Sequence, residues 1–312
     1  MTSSRALPRW RQQAALHWRM TRPGFLMVTL SACLVGLASA AQAGPLDGGL
    51  ALATLLLACV AHAGANVLND WQDALNGADA ANHDGLHPFT GGSRLIQQGA
   101  VDARQTARWS ALLLLSLLPA GALLAARSGS GLLLIGAAGL LIAWAYSAPP
   151  LKLMSRGLGE LAVADAWWLV VLGADYVQRG QFAAAPALLG VGIALLVACV
   201  LLINGFPDAR SDASVGKRTL VVRLGPRRAA LLFAALVPLA HAWVALCAFA
   251  WLPWPGAAWG LLSLPLAATG AALLWRHARQ PQRLRPAIAL TIASANLHAL
   301  ALAAGLLTHA PR

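Results

Sequence analysis

Of 312 residues, 58% are apolar and only 11% charged, far from the roughly 45 to 50% apolar and 25% charged of a soluble domain, so the chain's main solvent is lipid. A net charge of +12 raises nucleic acid as a partner, but a chain built of lipid-length runs excludes that class. The four cysteines, Cys33, Cys59, Cys199 and Cys247, all lie inside apolar runs without a Cys-x-x-Cys pair and read as small packing residues.

In chain order, residues 1–23 form a basic N-terminal segment. Apolar runs of about 17 to 22 residues, the helix length that crosses ~30 Å of hydrocarbon, then begin near Gly24, Leu50, Trp109, Gly131, Leu158, Ala184, Ala229, Ala257 and Pro286. Period-two alternation is absent and Ala, Leu and Gly dominate, which argues against a membrane barrel. The expected fold is therefore all-α, a multi-pass transmembrane bundle of about nine helices forming one domain over 24–312. The first run, Gly24 to Ala43, ends in Ala38-Ser39-Ala40 and Ala41-Gln42-Ala43 and so imitates a cleaved secretory signal. It exceeds the ~7 to 15 residues of a signal core and eight more runs follow, so it reads as an uncleaved first span.

With the N-terminus inside, 20 of the 23 Lys and Arg fall on one side, and only Arg127, Arg179 and Arg312 on the other. This is the positive-inside pattern. It predicts a cytoplasmic N-terminus, an external C-terminus and residence in a bacterial-type inner membrane. The two chemically dense loops, 69–108 and 205–228, are then cytoplasmic, whereas the external turns at 44–49 and 127–130 are short and bland. A working site opening to the cytoplasm is expected.

The second and sixth runs end in related motifs, Asn66-Val67-Leu68-Asn69-Asp70-Trp71-Gln72-Asp73 and Asn204-Gly205-Phe206-Pro207-Asp208-Ala209-Arg210-Ser211-Asp212. Both carry Asn-x-x-x-Asp on helices of the same orientation, a hint of a parallel repeat of four helices. Helical spacing puts Asn66, Asp70 and Asp73 on one face, and likewise Asn204, Asp208 and Asp212. A carboxylate costs about 2.5 to 3.5 kcal/mol at mid-bilayer and less near the interface, so two acidic clusters need a reason. A divalent cation is one, since Mg²⁺ joins one or two carboxylates to substrate phosphates; solvated loop acids are the bland alternative. Pro207 predicts a kink or break in its helix. Arg94, Lys152 and Lys217 stand near these clusters beside glycines or prolines, as phosphate contacts do, although each alone also reads as a topology determinant. His62 and His298, without a ligand set around them, read as hydrogen-bonded packing residues rather than haem ligands. Trp71 sits between two candidate ligands.

The ordered features Arg22-Pro23, Asn66-x-x-Asn-Asp70-x-x-Asp73, Tyr146-Ser147-x-Pro149-Pro150 and Asp208-x-x-x-Asp212 followed by Gly216-Lys217 resemble the UbiA superfamily of intramembrane aromatic prenyltransferases over nearly the whole chain. The resemblance implies a nine-helix bundle, a Mg²⁺-dependent prenyl diphosphate site at the cytoplasmic end and a lateral opening to membrane lipid. It implies Asp70, Asp73, Asp208 and Asp212 as Mg²⁺ ligands, Asn66 and Asn204 orienting them, and Arg22, Arg94, Lys152 and Lys217 on the diphosphate. Tyr146 and Ser147 would stand beside the reacting centre. The second acid of the first motif comes one residue early, at Asp73, because position 74 is Ala. That spacing, Asp79 beyond it, and the segment Gly216 to Gly225 resemble the branch that prenylates 1,4-dihydroxy-2-naphthoate. Prenylation of 4-hydroxybenzoate or another aromatic acceptor stays open, as does an ion-coupled transporter, whose acids would lie nearer the membrane centre. Prenyl length and oligomeric state are not legible.

Overall fold

Helix boundaries follow the chain's prolines, glycines and capping acids. The computed structural model describes residues 9–308; the expected external Arg312 and the first eight residues of the basic segment lie outside them. Among the described residues the structure is helical and contains no strand. A short helix α1 (Arg9–Met20) precedes α2 (Pro23–Ala41), which starts at Pro23, a residue suited to the first turn because its missing N–H would have no partner there. Asp47 caps α3 (Gly48–Asn76), accepting from the Leu50 N–H at 2.9 Å, and Gly77 ends it in the left-handed region at φ 81°. The single turn α4 (Ala78–Ala81) leads into an irregular loop. Asp102 then caps α5 (Ala103–Ser128).

The remaining helices are α6 (Gly131–Ser147), α7 (Gly159–Arg179), α8 (Ala184–Ser214), α9 (Leu220–Leu246), α10 (Leu264–His277) and α11 (Arg285–Thr308). Among the described residues seven helical segments are long and apolar enough to cross a membrane; α6 is apolar but has 17 residues, and α7 carries Glu160, Asp165, Asp175 and Arg179. With these two included, the helices follow the nine expected runs in order. Pro207 does not interrupt α8, which runs unbroken from Ala184 to Ser214 with the ring buried among its neighbours; packed surroundings let a membrane helix tolerate one missing N–H. The irregularity falls instead on α9, where Gly225 leaves helical geometry (φ 73°, ψ 163°) ahead of Pro226.

α8 is the central helix, packed on α7, α9 and α11, while α5 lies outermost against α3. The most apolar stretch of α8 is 72% buried and that of α5 only 11%, so α5 gives its leucines to lipid. One of the two main apolar clusters joins Val28, Val35, Val171, Ile193, Val244 and Leu302 from five helices. Gly36 permits the closest contact of α2 with α7, because a Cβ there would collide with the Val171 carbonyl. α2, expected as an uncleaved span, is 67% buried and belongs to this core.

Candidate active site

The two acidic motifs end α3 and α8 at the same edge of the bundle, and three connecting segments close over them: the loop after α4, the turn after α6 and the turn between α8 and α9. They enclose a polar cavity of about 120 Å³ whose lining includes Asp73, Asp79, Asp208, Asp212, Lys217, Arg22, Tyr146 and Asn204. Asp70 lies just behind the wall. Its Oδ2 accepts from the Ser93 N–H at 3.0 Å.

Lys217 ties the two motifs together. Its Nζ is 3.0 Å from both Asp73 carboxylate oxygens and 3.2 Å from Asp212 Oδ1, and all three side chains are buried. Burial works against its charge, but Asp73 and Asp212 outweigh that and hold its pKa above the ordinary lysine range. Asp208 is held differently, by the Asn82 amide at 2.7 Å and the Gly91 N–H at 3.2 Å. Asp79, in the turn beyond the membrane helix, has its carboxyl pushed up to about 8 by burial and then by the negative charges of Asp73 and Asp70. Among the described residues its carboxyl accepts from a side chain at 3.5 Å, from Gln97 Nε2.

The fit of a cation and its anionic ligand can be judged from unpaired atoms. Arg22 Nε, Asp70 Oδ1, Asn82 Oδ1, Asn204 Oδ1 and Thr219 Oγ1 are buried without a hydrogen-bond partner among the described residues, and all but Asp70 line this cavity. Buried polar atoms normally find partners, so so many orphans around one space mark a place built for a charged guest. Gly92 adds a steric sign: at φ 69°, a Cβ there would come 2.8 Å from Asp79 Oδ2 and 3.0 Å from Asp70 Oδ1. Among the described residues no group of three His, Cys, Asp or Glu is arranged to hold a metal by itself. Mg²⁺ has no need of such a cage, since waters and phosphate oxygens complete its shell.

A second, apolar cavity of about 230 Å³ continues from the first between α2, α3, α6, α7 and α8, lined by residues such as Phe25, Val28, Ile142, Val163, Trp167 and Val197. Arg22, Asn69, Tyr146, Leu201 and Asn204 line both.

The expected site residues are thus distributed unevenly. Asn66 lines the apolar cavity and donates to the Thr21 carbonyl at 3.0 Å, away from the acids. Asn69, one place further round α3, is the residue that meets Asp73, at 3.1 Å, and it also donates to Ser147 Oγ at 3.3 Å. Ser147 is buried behind it. Arg94 ends on the Asn82 carbonyl, at 3.0 Å, outside the cavity lining, and neither Lys152 nor Trp71 is among the lining residues. Thr90, Gly91 and Gly92, from the glycine-bearing stretch before Arg94, line the polar cavity, and Asn82 and Glu160 line it without having been anticipated. Asn82 follows Asp79 in a dense acidic loop, the one signal it offered, and Glu160 is masked because an acid in a helix's first turn reads as a dipole partner.

Comparison with known proteins agrees with this architecture. A profile of the UbiA prenyltransferase family matches residues 29–302. The 1,4-dihydroxy-2-naphthoate octaprenyltransferase of Escherichia coli is 32% identical over 70% of this chain and 73% of its own length, and that of Mycobacterium tuberculosis is 31% identical over 91% and 94%. In three dimensions a UbiA homolog from Archaeoglobus fulgidus bound to DMAPP and Mg²⁺ superposes with a TM-score of 0.65, at 16% identity over 94% of this chain and 99% of that one. The apo UbiA homolog from Aeropyrum pernix K1 gives 0.63, at 22% identity over 91% and 97%. Its helical bundle, its paired acidic motifs and the match over most of its length establish that this integral membrane chain belongs to the UbiA prenyltransferase family and is a prenyltransferase.

Proposed function

We propose that the enzyme moves a polyprenyl group from its diphosphate to 1,4-dihydroxy-2-naphthoate, releasing diphosphate and carbon dioxide, at a site open to the cytoplasm. The observation that carries this reading is the junction of two unlike cavities sharing Arg22, Asn69, Tyr146, Leu201 and Asn204. A ligand with an anionic head and a hydrocarbon tail matches both spaces at once. The acceptor is favoured by the curated relatives, which are named for that acid. The inward side follows from the basic loops.

In this reading Asp70, Asp73, Asp208 and Asp212, with Asp79 beside them, would hold Mg²⁺, a reading supported by the ion bound to the Archaeoglobus homolog. When bound, Mg²⁺ neutralises the oxygens of the departing diphosphate. Asn69 and Asn82 orient the carboxylates of Asp73 and Asp208. Arg22 and Lys217 hold the diphosphate as the bond from prenyl C1 to oxygen breaks and the electron pair leaves with oxygen. Tyr146, at the junction, offers its ring to the allylic cation, an interaction worth about 0.5 to 2 kcal/mol. The apolar walls keep water from that cation. The naphthalene carbon bearing the carboxylate then bonds to prenyl C1. Carbon dioxide departs, and the electrons of its bond restore the aromatic ring.

The test is competition between 1,4-dihydroxy-2-naphthoate and 4-hydroxybenzoate at equal concentration with one polyprenyl diphosphate, products being identified by mass. Naphthoate should dominate, with one carbon dioxide released per product. A product that keeps the carboxylate of 4-hydroxybenzoate would overturn the acceptor and leave the donor site standing.

A further inference from the structure

His62 is out of place in its surroundings. It lies in the middle of α3, hydrogen-bonded and packed against its neighbours as its isolated position in the sequence suggests, but it also lines the apolar cavity. Its Nδ1 is 2.8 Å from Thr29 Oγ1 on α2, and Trp167 on α7 meets the ring edge-to-face, with centroids 4.8 Å apart. The ring is therefore fixed from two helices. Its Nε2 has no hydrogen-bond partner among the described residues, and the half-buried side chain is one of those lining the apolar cavity.

The tautomer follows from Thr29. That side chain is 1% exposed and makes no other hydrogen bond among the described residues. If Nδ1 donated to it, the hydroxyl proton would be buried without an acceptor, an unfavourable arrangement. Thr29 therefore donates to Nδ1, and the imidazole presents Nε2–H to the cavity.

A prenyl tail has nothing to offer that N–H. A ring hydroxyl, phenolate or carboxylate oxygen does. Position agrees with chemistry: His62 precedes Asp70 by eight residues on one helix, about 12 Å along its axis. Between them stand Asn66 and Asn69, the level at which Tyr146 also lines both cavities. With diphosphate at the carboxylates and prenyl C1 at the junction, a ring placed for attack at roughly 3 to 3.5 Å extends toward His62.

We propose that His62, oriented by Thr29 and Trp167, binds an oxygen substituent of the aromatic acceptor by donating from Nε2, and so sets acceptor affinity and the face of the ring turned to the prenyl carbon. This deepens the prenyl-transfer reading and rests on it. The substrate class is an aromatic acid or phenol with an oxygen one ring-width from the attacking carbon.

The experiment measures KM separately for the acceptor and for polyprenyl diphosphate in the wild type, His62→Ala, His62→Gln and Thr29→Val, using whichever aromatic acid the wild type prenylates. Failure of the naphthoate assignment thus changes the acid but not the comparison. His62→Ala should raise acceptor KM about tenfold or more and leave donor KM within about twofold. His62→Gln, whose amide donates from nearly the same place, should recover much of the loss. Thr29→Val keeps the volume but frees the ring and should fall between them, which also covers the case of an unfolded His62→Ala. Acceptor KM within twofold of wild type in folded His62→Ala or Thr29→Val, or equal rises in both KM values, would overturn the proposal.

Discussion

Replacing Lys217 by Met removes a buried cation and leaves Asp73 and Asp212 facing one another. Each contact near 3 Å is worth about 5 kcal/mol of attraction at an effective dielectric near 20, partly offset by the cost of burying the ions. Breaking such a pair from one side typically costs about 3 to 5 kcal/mol. At roughly 2 to 4 °C per kcal/mol, unfolding in detergent without metal should occur on the order of 10 °C lower. Because the defect is surplus negative charge, two remedies should work in the Lys217→Met background. Added Mg²⁺ should recover stability, and so should Asp212→Asn, although Asp212→Asn by itself destabilises the wild type. That reversal of sign, read as a coupling in a double-mutant cycle, is specific to charge compensation. A melting curve for Lys217→Met within a degree or two of wild type, with and without Mg²⁺, would refute the reasoning.

Asp70→Asn and Asp208→Asn should each abolish turnover in folded protein, chelator should silence the wild type, and Mg²⁺ should restore it; Arg279→Gln, remote from the cavity lining, should stay active. Full activity of either Asp variant at saturating donor and Mg²⁺ would remove the carboxylates from the reaction. Asp79, with its pKa at about 8, carries a proton at pH 7 that a nearby cation must displace. Mg²⁺ affinity should therefore rise from pH 6 toward pH 8 and level off above, with proton release at pH 7 seen by calorimetry in buffers of different ionisation enthalpy. Identical heats in those buffers would place Asp79 outside the cation's field. Single cysteines placed in 69–108 and 205–228 of a cysteine-free variant should label from the cytoplasmic side of oriented vesicles, and labelling near Asp208 from outside would reverse the topology.

Membrane spans were legible because their signal is local: a run of apolar residues has one stable outcome in lipid. The paired acidic motifs were legible for the same reason, each being a short pattern at a helix end. What escaped was rotational and long-range. Asn66 stands four residues before Asp70 and Asn69 four before Asp73, so an ideal helix offers each an acid one turn on, yet α3 packs so that Asn66 reaches Thr21 and Asn69 reaches Asp73. Asn82 and Gly91 hold Asp208 across more than a hundred residues, through a loop whose path no periodicity encodes. Pro207 leaves α8 unbroken, its ring buried among packed neighbours that no local pattern displays. Lys217 could be placed near the acids from spacing alone, but not between Asp73 and Asp212.

The five side chains common to both cavities also bear on traffic through the enzyme. Arg22, Asn69, Tyr146, Leu201 and Asn204 stand where polar lining gives way to hydrocarbon, so reactants and products part company there. In the proposed reaction diphosphate, which has no apolar surface, would leave on the polar side, and the lipid-soluble prenylated ring would leave on the other. One transfer would thus sort its own products into two phases, and neither would have to pass the place where the other was held.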